Sequence, residues 1–523
     1  ASGIVTTHDL NVTGVGTFSG DVSIADKIVH TGDTDTFIRF SGADTFAIET
    51  GGDERLRATN NGVMFSVDAT VDTHNQRSLG TSESRFKSLF LGTDLNVSGV
   101  STFAAITAGS DATINGVTVG KGANSVATNT VLGVSALDAA TTGANNTAIG
   151  NNVLTELTTG ANNTAVGSGA LDANTTASSN TAVGHNALTT NTTGALNVAL
   201  GQSVLRDNST GTLNTAVGGH SMIKNSTGIE NTSVGTSAME DNTTGDGNTA
   251  VGRSALANNT TANDNTAVGK SALGANTTGV RNTAVGTQAL DASTTTNDNT
   301  AIGYQALTAN TSQNNTAVGR SALAASVTGS NNTAVGRLAM ANADVTGTNN
   351  VAMGYQALYA DTTGVDNIAI GSNTLVANTT GDYNVAIGKQ ALQTSTTVNA
   401  NTAVGYRALM TSAANINVAV GFDAMANSST ATNSVAIGGY ALTTNTTGNQ
   451  NVAIGYAAGR LNTTGSANCS VGYQALRANT TADNNTAMGF QALLANTTGT
   501  QNVAVGALAL DANTDQSNNT AIG

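Results

Sequence analysis

The chain of 523 residues has no proline, no tryptophan, one cysteine and only 3% aromatic residues. A single cysteine excludes an intrachain disulfide, and we interpret Cys469 as a small buried hydrophobic residue rather than a reactive thiol. Charged residues make up only 10% of the chain, and the formal net charge is −14. Because binding to phosphate backbones requires clustered Lys and Arg, the sequence predicts no nucleic-acid partner.

Long apolar runs are also missing, since no stretch of about 18 apolar residues occurs, and we expect no membrane insertion. A disordered polymer usually carries more charge and fewer aliphatic residues than this chain, of which 39% is hydrophobic. Ala and Val supply most of that fraction. The sequence therefore predicts a folded protein with a thin core.

Gly, Asn, Thr and Ala are abundant instead, and they are arranged in a repeat. The unit reads roughly N-T-A-V-G-x-x-A-L-x-A-N-T-T-G-x-x, and we number its places one to 17. Its fifth place is Gly, and its mean period is about 17 residues, which is the length of one structural repeat in a solenoid. We place the opening Asn at residues 129, 146, 163, 180, 197, 214, 231, 248, 265, 282, 299, 315, 332, 350, 367, 384, 401, 417, 433, 451, 468, 485, 502 and 519.

The repeat predicts an all-β fold. A helix is excluded because Gly recurs in every unit, at a cost of about 1 kcal/mol each. The T-A-V and x-A-L segments each predict a short strand, broken by the Gly at place five and by the N-T-T-G turn. Two strands and two turns make one rung of a β-solenoid or parallel β-roll. The rival is a single-chain left-handed β-helix, but the unit does not divide into three similar hexads.

Five intervals depart from 17 residues. Three contain 16 residues, from 299 to 315, 401 to 417 and 417 to 433, and two contain 18, from 332 to 350 and 433 to 451. A slip of one residue inside a strand would turn its apolar face outward. We therefore expect the insertions and deletions to lie in the turns.

The small rung also predicts self-association. We expect the larger residues at place four, such as Val285 and Ile302, to fill the interior. Ala284 and Ala301 at place three would then point outward and allow another chain to approach closely. Because so thin a core stabilises a lone chain poorly, we expect several chains to pack along a common axis, with a homotrimer as the favoured assembly.

Residues 1–120 form a different region, which we predict to be a small β-rich domain that precedes the array of residues 121–523. The region holds eight of the ten Phe residues, including Phe86 and Phe90. The decapeptide at 9–18 returns in similar form at 94–103, and residues 28–62 alternate like hairpin strands joined by Gly and Asn turns. Residues 111–124 are interpreted as the transition into the array.

No constellation of catalytic or metal-binding residues is evident. The histidines His8, His30, His74, His185 and His220 lack metal-ligand spacing, and the carboxylates are scattered rather than paired across a groove. We therefore expect no enzymatic activity, no cofactor and no metal. The Asn-x-Thr matches are by-products of the repeat rather than glycosylation sites. The recurring Thr columns also leave ice binding open, which a thermal-hysteresis assay would test.

Place six offers the only candidate binding residues. It is polar in many units, but Tyr occupies it in five, and a row of exposed tyrosines could stack on sugars. Packing of each ring onto the neighbouring rung is the alternative interpretation. The candidate glycan-contact residues are Tyr304, Tyr355, Tyr406, Tyr456 and Tyr473.

The repeat resembles known fibrous proteins. "NSVAIG" at 433–438 and "NVAIG" at 384–388 and 451–455 resemble the head repeats of trimeric autotransporter adhesins, a family with a trimeric left-handed parallel β-roll. "NTAIGYQALTANT" at 299–311 and "NVAMGYQALYADTTG" at 350–364 look more like arrays in tail-fibre proteins of tailed phages. Residues 30–52 and 78–99 resemble virion fibre segments of phages, including phages of marine cyanobacteria.

The resemblance implies a homotrimeric tail fibre on a phage virion. Its N-terminal region would contact other virion or tail proteins, and its array would be a rigid spacer that projects a tip toward a host glycan or protein. The sequence shows neither the heptad stalk and membrane barrel of the adhesins nor the self-cleaving chaperone domain of many phage fibres. The alternative is a bacterial extracellular adhesin or surface filament that binds through its lateral surface.

Overall fold

A computed structural model describes residues 27–29, 32–42, 44–60, 62–65, 111–342 and 344–523, with the backbone alone for residues 41, 42 and 62–65. The chain divides into two units, residues 1–105 and 106–523. Both consist of strands and turns in their described parts, where the one helical segment is a 3₁₀ turn at Ala123–Ser125. None of the described residues forms a helix of the length and apolarity needed to span a bilayer. The all-β prediction is confirmed.

The first unit contains an antiparallel meander in which each strand pairs with the next along the chain. Ala47 is fully buried in this sheet, and the rings of Phe40 and Phe46 lie 5.8 Å apart. The hairpin pattern predicted for residues 28–62 is confirmed. The five strands are β1 (Lys27–Val29), β2 (Phe37–Gly42), β3 (Thr45–Thr50), β4 (Asp53–Thr59) and β5 (Gly62–Phe65).

Several sequence predictions fall outside the described residues. They concern the similar decapeptides at 9–18 and 94–103 and the virion-like segment at 78–99. The same holds for Phe86 and Phe90, and for the histidines His8, His30 and His74.

The described part of the second unit begins with an antiparallel hairpin, formed by β6 (Ala112–Ile114) and β7 (Val117–Gly120). Strand β7 pairs antiparallel with β8 (Thr130–Gly133), the first strand of the array. Strand β8 then pairs in parallel with β9 (Thr147–Ile149), so the hairpin covers one edge of the parallel ladder.

From β8 onward, 24 short strands form one parallel ladder in which each strand pairs with the same segment one rung further along. The predicted parallel β-solenoid with rungs of about 17 residues is thus confirmed. The strands after β9 are β10 (Thr164–Val166), β11 (Thr181–Val183), β12 (Val198–Leu200), β13 (Thr215–Val217), β14 (Thr232–Val234), β15 (Thr249–Val251), β16 (Thr266–Val268), β17 (Thr283–Val285), β18 (Thr300–Ile302), β19 (Thr316–Val318), β20 (Thr333–Val335), β21 (Val351–Met353), β22 (Ile368–Ile370), β23 (Val385–Ile387), β24 (Thr402–Val404), β25 (Val418–Val420), β26 (Val435–Ile437), β27 (Val452–Ile454), β28 (Cys469–Val471), β29 (Thr486–Met488), β30 (Val503–Val505) and β31 (Thr520–Ile522).

Each rung has one strand rather than two, so the prediction of a second strand at x-A-L is wrong. Leu290 and Leu307, at place nine, have φ angles of 52° and 51°, in the left-handed region. Left-handed residues also recur at places seven and 17, as at Gln288 and Asp298. These residues bend the chain back on itself and direct Leu into the core, where its full burial offsets the backbone cost of about 1 kcal/mol.

The inward and outward sides of the strand are the reverse of the prediction. Ala284 and Ala301, at place three, are fully buried, whereas Ile302 at place four is 40% exposed. The interior already holds the Ala of place eight and the Leu of place nine, such as Ala289 and Leu290. Only a methyl group fits opposite them, so the strand must present its larger residue to the outside.

The Asn at place one closes each rung and joins it to the next. The amide of Asn282 donates to the carbonyl of Thr296 at 2.7 Å, which lies 14 residues further along the same rung. Its backbone N–H donates to Oδ1 of Asn265 in the neighbouring rung at 3.0 Å. Both groups are buried, and burial without a partner would cost about 1–3 kcal/mol per group. This double use explains why Asn opens nearly every unit.

The Gly at place five is required by the neighbouring rung. Gly286 has a φ of 133°, and a Cβ placed on it would lie 2.5 Å from the carbonyl oxygen of Gly303. The next rung's backbone occupies that space, so any side chain would force the ladder apart. Place five is therefore a corner that only Gly can form.

The irregular intervals leave the strand register intact. Thr300 pairs with Thr316 and Thr333 pairs with Val351 across intervals of 16 and 18 residues. The prediction that length changes lie in the turns is confirmed for these rungs. The opening assigned to residue 433 is wrong, because Val418 pairs with Val435 and the buried Ser434 occupies place one. Two of the five irregular intervals therefore have the regular length.

Candidate interaction surface

The outward side of the ladder carries an uninterrupted column of aliphatic side chains at place four, which we call the aliphatic column. Its members pair with one another from rung to rung and are partly or largely exposed, for example Val183 at 37% and Met488 at 43%. The column consists of Leu132, Ile149, Val166, Val183, Leu200, Val217, Val234, Val251, Val268, Val285, Ile302, Val318, Val335, Met353, Ile370, Ile387, Val404, Val420, Ile437, Ile454, Val471, Met488, Val505 and Ile522.

The area of this column is large for a free protein surface. Its exposed apolar area is on the order of 1,000 Å², whereas monomeric proteins rarely expose contiguous patches of more than a few hundred Å². Place two, the other outward position of the strand, adds Thr in all but one rung of the first half of the array, and mostly Val or Ile in the second, from Val351 to Val503. The sheet face is thus an unusually long apolar surface.

Cys469 also lies at place two of this face. It is partly exposed, so its interpretation as a buried hydrophobic residue is wrong. Alternation along β28 turns it outward, whereas Ser470 takes the buried position that Ala holds in other rungs.

Two of the candidate glycan-contact residues stand alone. Tyr304 is 46% exposed, and the guanidinium carbon of Arg320 lies 6.0 Å from its ring centroid. Tyr355 is 41% exposed, with Arg337 placed similarly at 5.6 Å. In each case the arginine comes from place six of a neighbouring rung, so a cation covers the ring where a second aromatic would otherwise stack.

The other three candidates belong to a continuous row of six rings, which we call the aromatic strip. Successive ring centroids lie 5.2, 5.2, 5.8, 5.4 and 5.5 Å apart. Three of the five contacts are stacked, with interplanar angles of 20°, 14° and 9°. The strip consists of Tyr406, Phe422, Tyr440, Tyr456, Tyr473 and Phe490.

The strip shows what the sequence prediction included and what it missed. It unites Tyr406, Tyr456 and Tyr473 and leaves Tyr304 and Tyr355 apart, and its rings pack on neighbouring rungs. Phe422 and Phe490 occupy the same place six, but the sequence prediction covered only Tyr. Tyr440 lies at place seven, next to Gly439, which lacks a side chain at place six. The unusual Gly at place six, followed directly by a Tyr, was the sequence signal that could have identified Tyr440.

Basic residues accompany the aromatic strip. The guanidinium of Arg460 lies 5.0 Å from the ring of Tyr440, and Arg477 occupies the same place one rung further on. Neither has a carboxylate partner among the residues that the structure describes, whereas Arg407 pairs with Asp423 at 3.3 Å.

One buried carboxyl lies elsewhere in the interior. Asp361 takes the place of the buried Asn at place 12, and burial raises its pKa to about 7. In the next rung, the amide nitrogen of Asn378 donates both to the carbonyl of Gly381 and to Oδ1 of Asp361. Oδ2 of Asp361 has no partner. A protonated carboxyl would supply the missing donor, which is why neutral Asp fits this ladder.

The described part of the chain brings no three His, Cys, Asp or Glu side chains together in a metal-binding arrangement. His185 and His220 are both at outward positions of different rungs. Asn191, which begins an Asn-Thr-Thr match, is fully buried, so the folded rung hides this glycosylation signal.

Comparison with known proteins adds no relative, since no protein-family model and no curated protein sequence matches the chain.

Proposed function

We propose that this chain is a structural fibre of a tailed-phage virion, in which the array is a rigid spacer that holds a receptor-binding tip away from the particle. The observation that carries the proposal is the unbroken parallel ladder of 24 strands. At about 4.8 Å per rung, the array is roughly 110 Å long. Because each rung contacts only its neighbours, length is set by the number of rungs.

The proposed fibre is a homotrimer whose chains meet along their sheet faces. The aliphatic column and the place-two column lie side by side on that face, so each chain offers one contact to each of two neighbours around a threefold axis. An axis parallel to the solenoid keeps equivalent rungs at the same height. Divided between two neighbours, the aliphatic column supplies roughly 500 Å² to each contact, and the place-two column adds to this area toward the value of about 800 Å² per partner in a standard interface.

The assignment to a virion rests on the resemblance of the repeats and of residues 30–52 and 78–99 to phage fibres. In this assignment, the N-terminal region contacts other tail proteins and the array extends toward the host. The role is mechanical, with no catalytic step.

Electron microscopy of phage particles labelled with an antibody against the array tests this function. The account predicts label along thin fibres that project from the tail. Label on filaments at the bacterial surface, with none on particles, would contradict it and support a bacterial adhesin instead.

A matched pair of variants tests the interface. Val268→Glu with Ile302→Glu places two charges on the aliphatic column, and we expect loss of the trimer because buried unpaired charges are costly. Thr261→Glu with Thr278→Glu places the same charges on exposed turn positions of nearby rungs and should leave assembly unchanged. Equal effects of both pairs would exclude the column as the interface.

A further inference from the structure

The aromatic strip differs from the sheet face in position and in charge. Its side chains follow the Gly corner at place five, so the strip does not belong to the face proposed for self-association. Five of its six rings lie at place six, and four exposures are 46% for Phe422, 45% for Tyr456, 46% for Tyr473 and 49% for Phe490. Both surfaces can therefore be occupied at the same time.

The stacking determines what the strip can bind. Tyr456, Tyr473 and Phe490 stack with interplanar angles of 14° and 9°, so much of each face is covered by the next ring. Since these residues are nearly half exposed while neighbouring rings partly cover their faces, the exposed part of each is mainly its edge, with the hydroxyl in the tyrosines. An aromatic edge is the positive part of the ring quadrupole, and a phenol O–H is a hydrogen-bond donor. The exposed side of the strip therefore favours anionic or acceptor groups.

The local charge agrees with this chemistry. The rungs that carry the strip, residues 401–501, contain three basic residues, Arg407, Arg460 and Arg477, and two acidic residues, Asp423 and Asp483, which gives +1. The whole chain carries −14, so the remaining residues carry −15. Arg460 and Arg477 have no carboxylate partner among the described residues, whereas Arg407 pairs with Asp423. The strip is thus a cationic segment on an acidic shaft.

We propose that the aromatic strip, with Arg460 and Arg477, binds a linear acidic polysaccharide that lies along the solenoid axis. Rings recur once per rung with centroids 5.2–5.8 Å apart, which is close to the advance of one sugar in an extended polymer. Uronate carboxylates accept from the guanidinium groups, and sugar hydroxyls accept from Tyr456 and Tyr473. The proposal goes beyond the spacer function, and it holds whether the chain is a monomer or a trimer.

The geometry disfavours the other extended ligands. Neutral glycans bind aromatic residues chiefly through the ring faces, which neighbouring rings partly cover here. Single-stranded nucleic acid requires open faces on which bases stack and a strongly basic groove. The strip provides neither feature, since its rings stack on one another and the net charge of residues 401–501 is only +1.

Calorimetric titration of the full chain with three linear hexamers tests the proposal. The probes are hexagalacturonate, cellohexaose as its neutral counterpart, and a hexamer of thymidylate as a different polyanion. We expect binding of hexagalacturonate alone, and weaker binding at higher salt. No binding of hexagalacturonate, equal binding of cellohexaose, or equal binding of the thymidylate hexamer would overturn the proposal.

Variants locate the site. Arg460→Gln with Arg477→Gln removes both charges and retains the aliphatic stems, and we expect at least a tenfold loss of hexagalacturonate affinity. Tyr456→Ala with Tyr473→Ala should cause a similar loss. The matched control, Arg320→Gln with Arg337→Gln, removes the same charge outside the strip and should change the affinity by less than twofold. A control loss as large as that of the strip variants would show non-specific attraction and refute the site.

Thermal unfolding and oligomeric mass of every variant are measured alongside. Loss of hexagalacturonate binding with an unchanged fold and mass supports the strip as the site. If hexagalacturonate does not bind although the trimer is intact, the proposed polysaccharide site is refuted, whereas the proposed spacer function is not.

Discussion

The antiparallel sheet of residues 27–65 and the parallel array of residues 130–522 are stabilised in different ways. In the sheet, each contact occurs once, as in the ion pair between Arg39 and Glu49 at 2.5 Å. In the array, the principal contacts join equivalent places of neighbouring rungs and recur along the ladder, as in the hydrogen bond between Asn265 and Asn282. The effect of a substitution should therefore depend on the particular partner in the sheet and on the place within the rung in the array.

Glycine substitution should give the largest contrast between the two regions. Gly286→Ala places a Cβ 2.5 Å from the carbonyl oxygen of Gly303, whereas a Cβ on Gly51 in the sheet has no atom within 4 Å. We expect Gly286→Ala to lower the free energy of unfolding by about 5 kcal/mol, because the backbone of the next rung must move. Gly51→Ala should cost about 1 kcal/mol, from its positive φ alone.

Hydrogen exchange of the backbone amides near each substitution measures the stability losses of Gly286→Ala and Gly51→Ala. Equal costs at Gly286 and Gly51 would mean that the rungs are not in close backbone contact.

Asp361→Asn should give the next largest effect, and its sign depends on pH. The carboxyl has a pKa of about 7 in the fold and 3.8 as its ordinary value, so the folded state binds the proton more tightly. The stability penalty thus grows as pH rises from about 4 to about 7 and remains complete above pH 7, where it reaches about 4 kcal/mol. Asp361→Asn should remove this penalty at pH 8 and change little at pH 4.

Hydrogen exchange of rungs near Asp361 at the two pH values is the measurement. As a control, Asp298→Asn changes an exposed carboxylate of the same array and should not stabilise the chain at pH 8. A variant with the same pH dependence as the unmodified chain would contradict the assignment of Asp361 as a neutral member of the ladder.

Removal of a ladder amide should cost less than the glycine change. Asn265→Ala leaves the N–H of Asn282 buried without a partner and removes one of the two amide donors to the carbonyl of Gly279, and we expect a loss of about 3 kcal/mol. Asn60 in the sheet donates to Asp44 at 2.9 Å on the exposed surface, so Asn60→Ala should cost about 0.5 kcal/mol. Chemical unfolding followed by hydrogen exchange should distinguish the stability losses of Asn265→Ala and Asn60→Ala. Similar losses for the two variants would show that the buried Asn ladder is dispensable.

Substitutions in ion pairs should give the smallest effects. Here the substitution in the sheet should cost more unfolding free energy than the one in the array, the opposite of the glycine and asparagine substitutions. Arg281 and Asp298 in the array are 58% and 39% exposed, so Arg281→Ala should change the free energy of unfolding by less than about 0.5 kcal/mol. Glu49 in the sheet is only 8% exposed, and Arg39→Ala should cost about 2 kcal/mol because the carboxylate loses its partner. Denaturant titration tests this reversal, and a larger loss at Arg281 would contradict it.

The sequence was sufficient for the period, the parallel stacking and the position of length changes, because these follow from recurrence and from register. It was not sufficient for the direction of the strand. Because side chains alternate between the two sides of a strand, Ala284 and Val285 must point in opposite directions, but alternation alone does not show which of them points inward. Hydrophobicity favours Val285 as the inward residue, which is wrong. The better signal was size: place three is almost always Ala, whereas place four varies among Val, Ile, Leu and Met. Restricted space, rather than hydrophobicity, identifies the inward position of a thin coil.

The backbone of x-A-L and the aromatic strip were missed for related reasons. Left-handed φ values at Leu290 and Leu307 contradict the ordinary preferences of Leu, and only the crowded rung makes them favourable. The strip joins Phe422, Tyr440 and Phe490 to the tyrosines through contacts between rungs. A pattern of one residue type at one place could not predict the strip, because the strip contains both Phe and Tyr and because Tyr440 lies at place seven. Gly439 at place six marks this displacement in the sequence.

The mass of the full chain in solution tests the central claim most directly, namely that the outward aliphatic column joins copies of this chain. Light scattering over a range of concentrations should give three times the chain mass of 51.8 kDa. A stable species of one chain mass, with the aliphatic column exposed to water along its whole length, would contradict the claim.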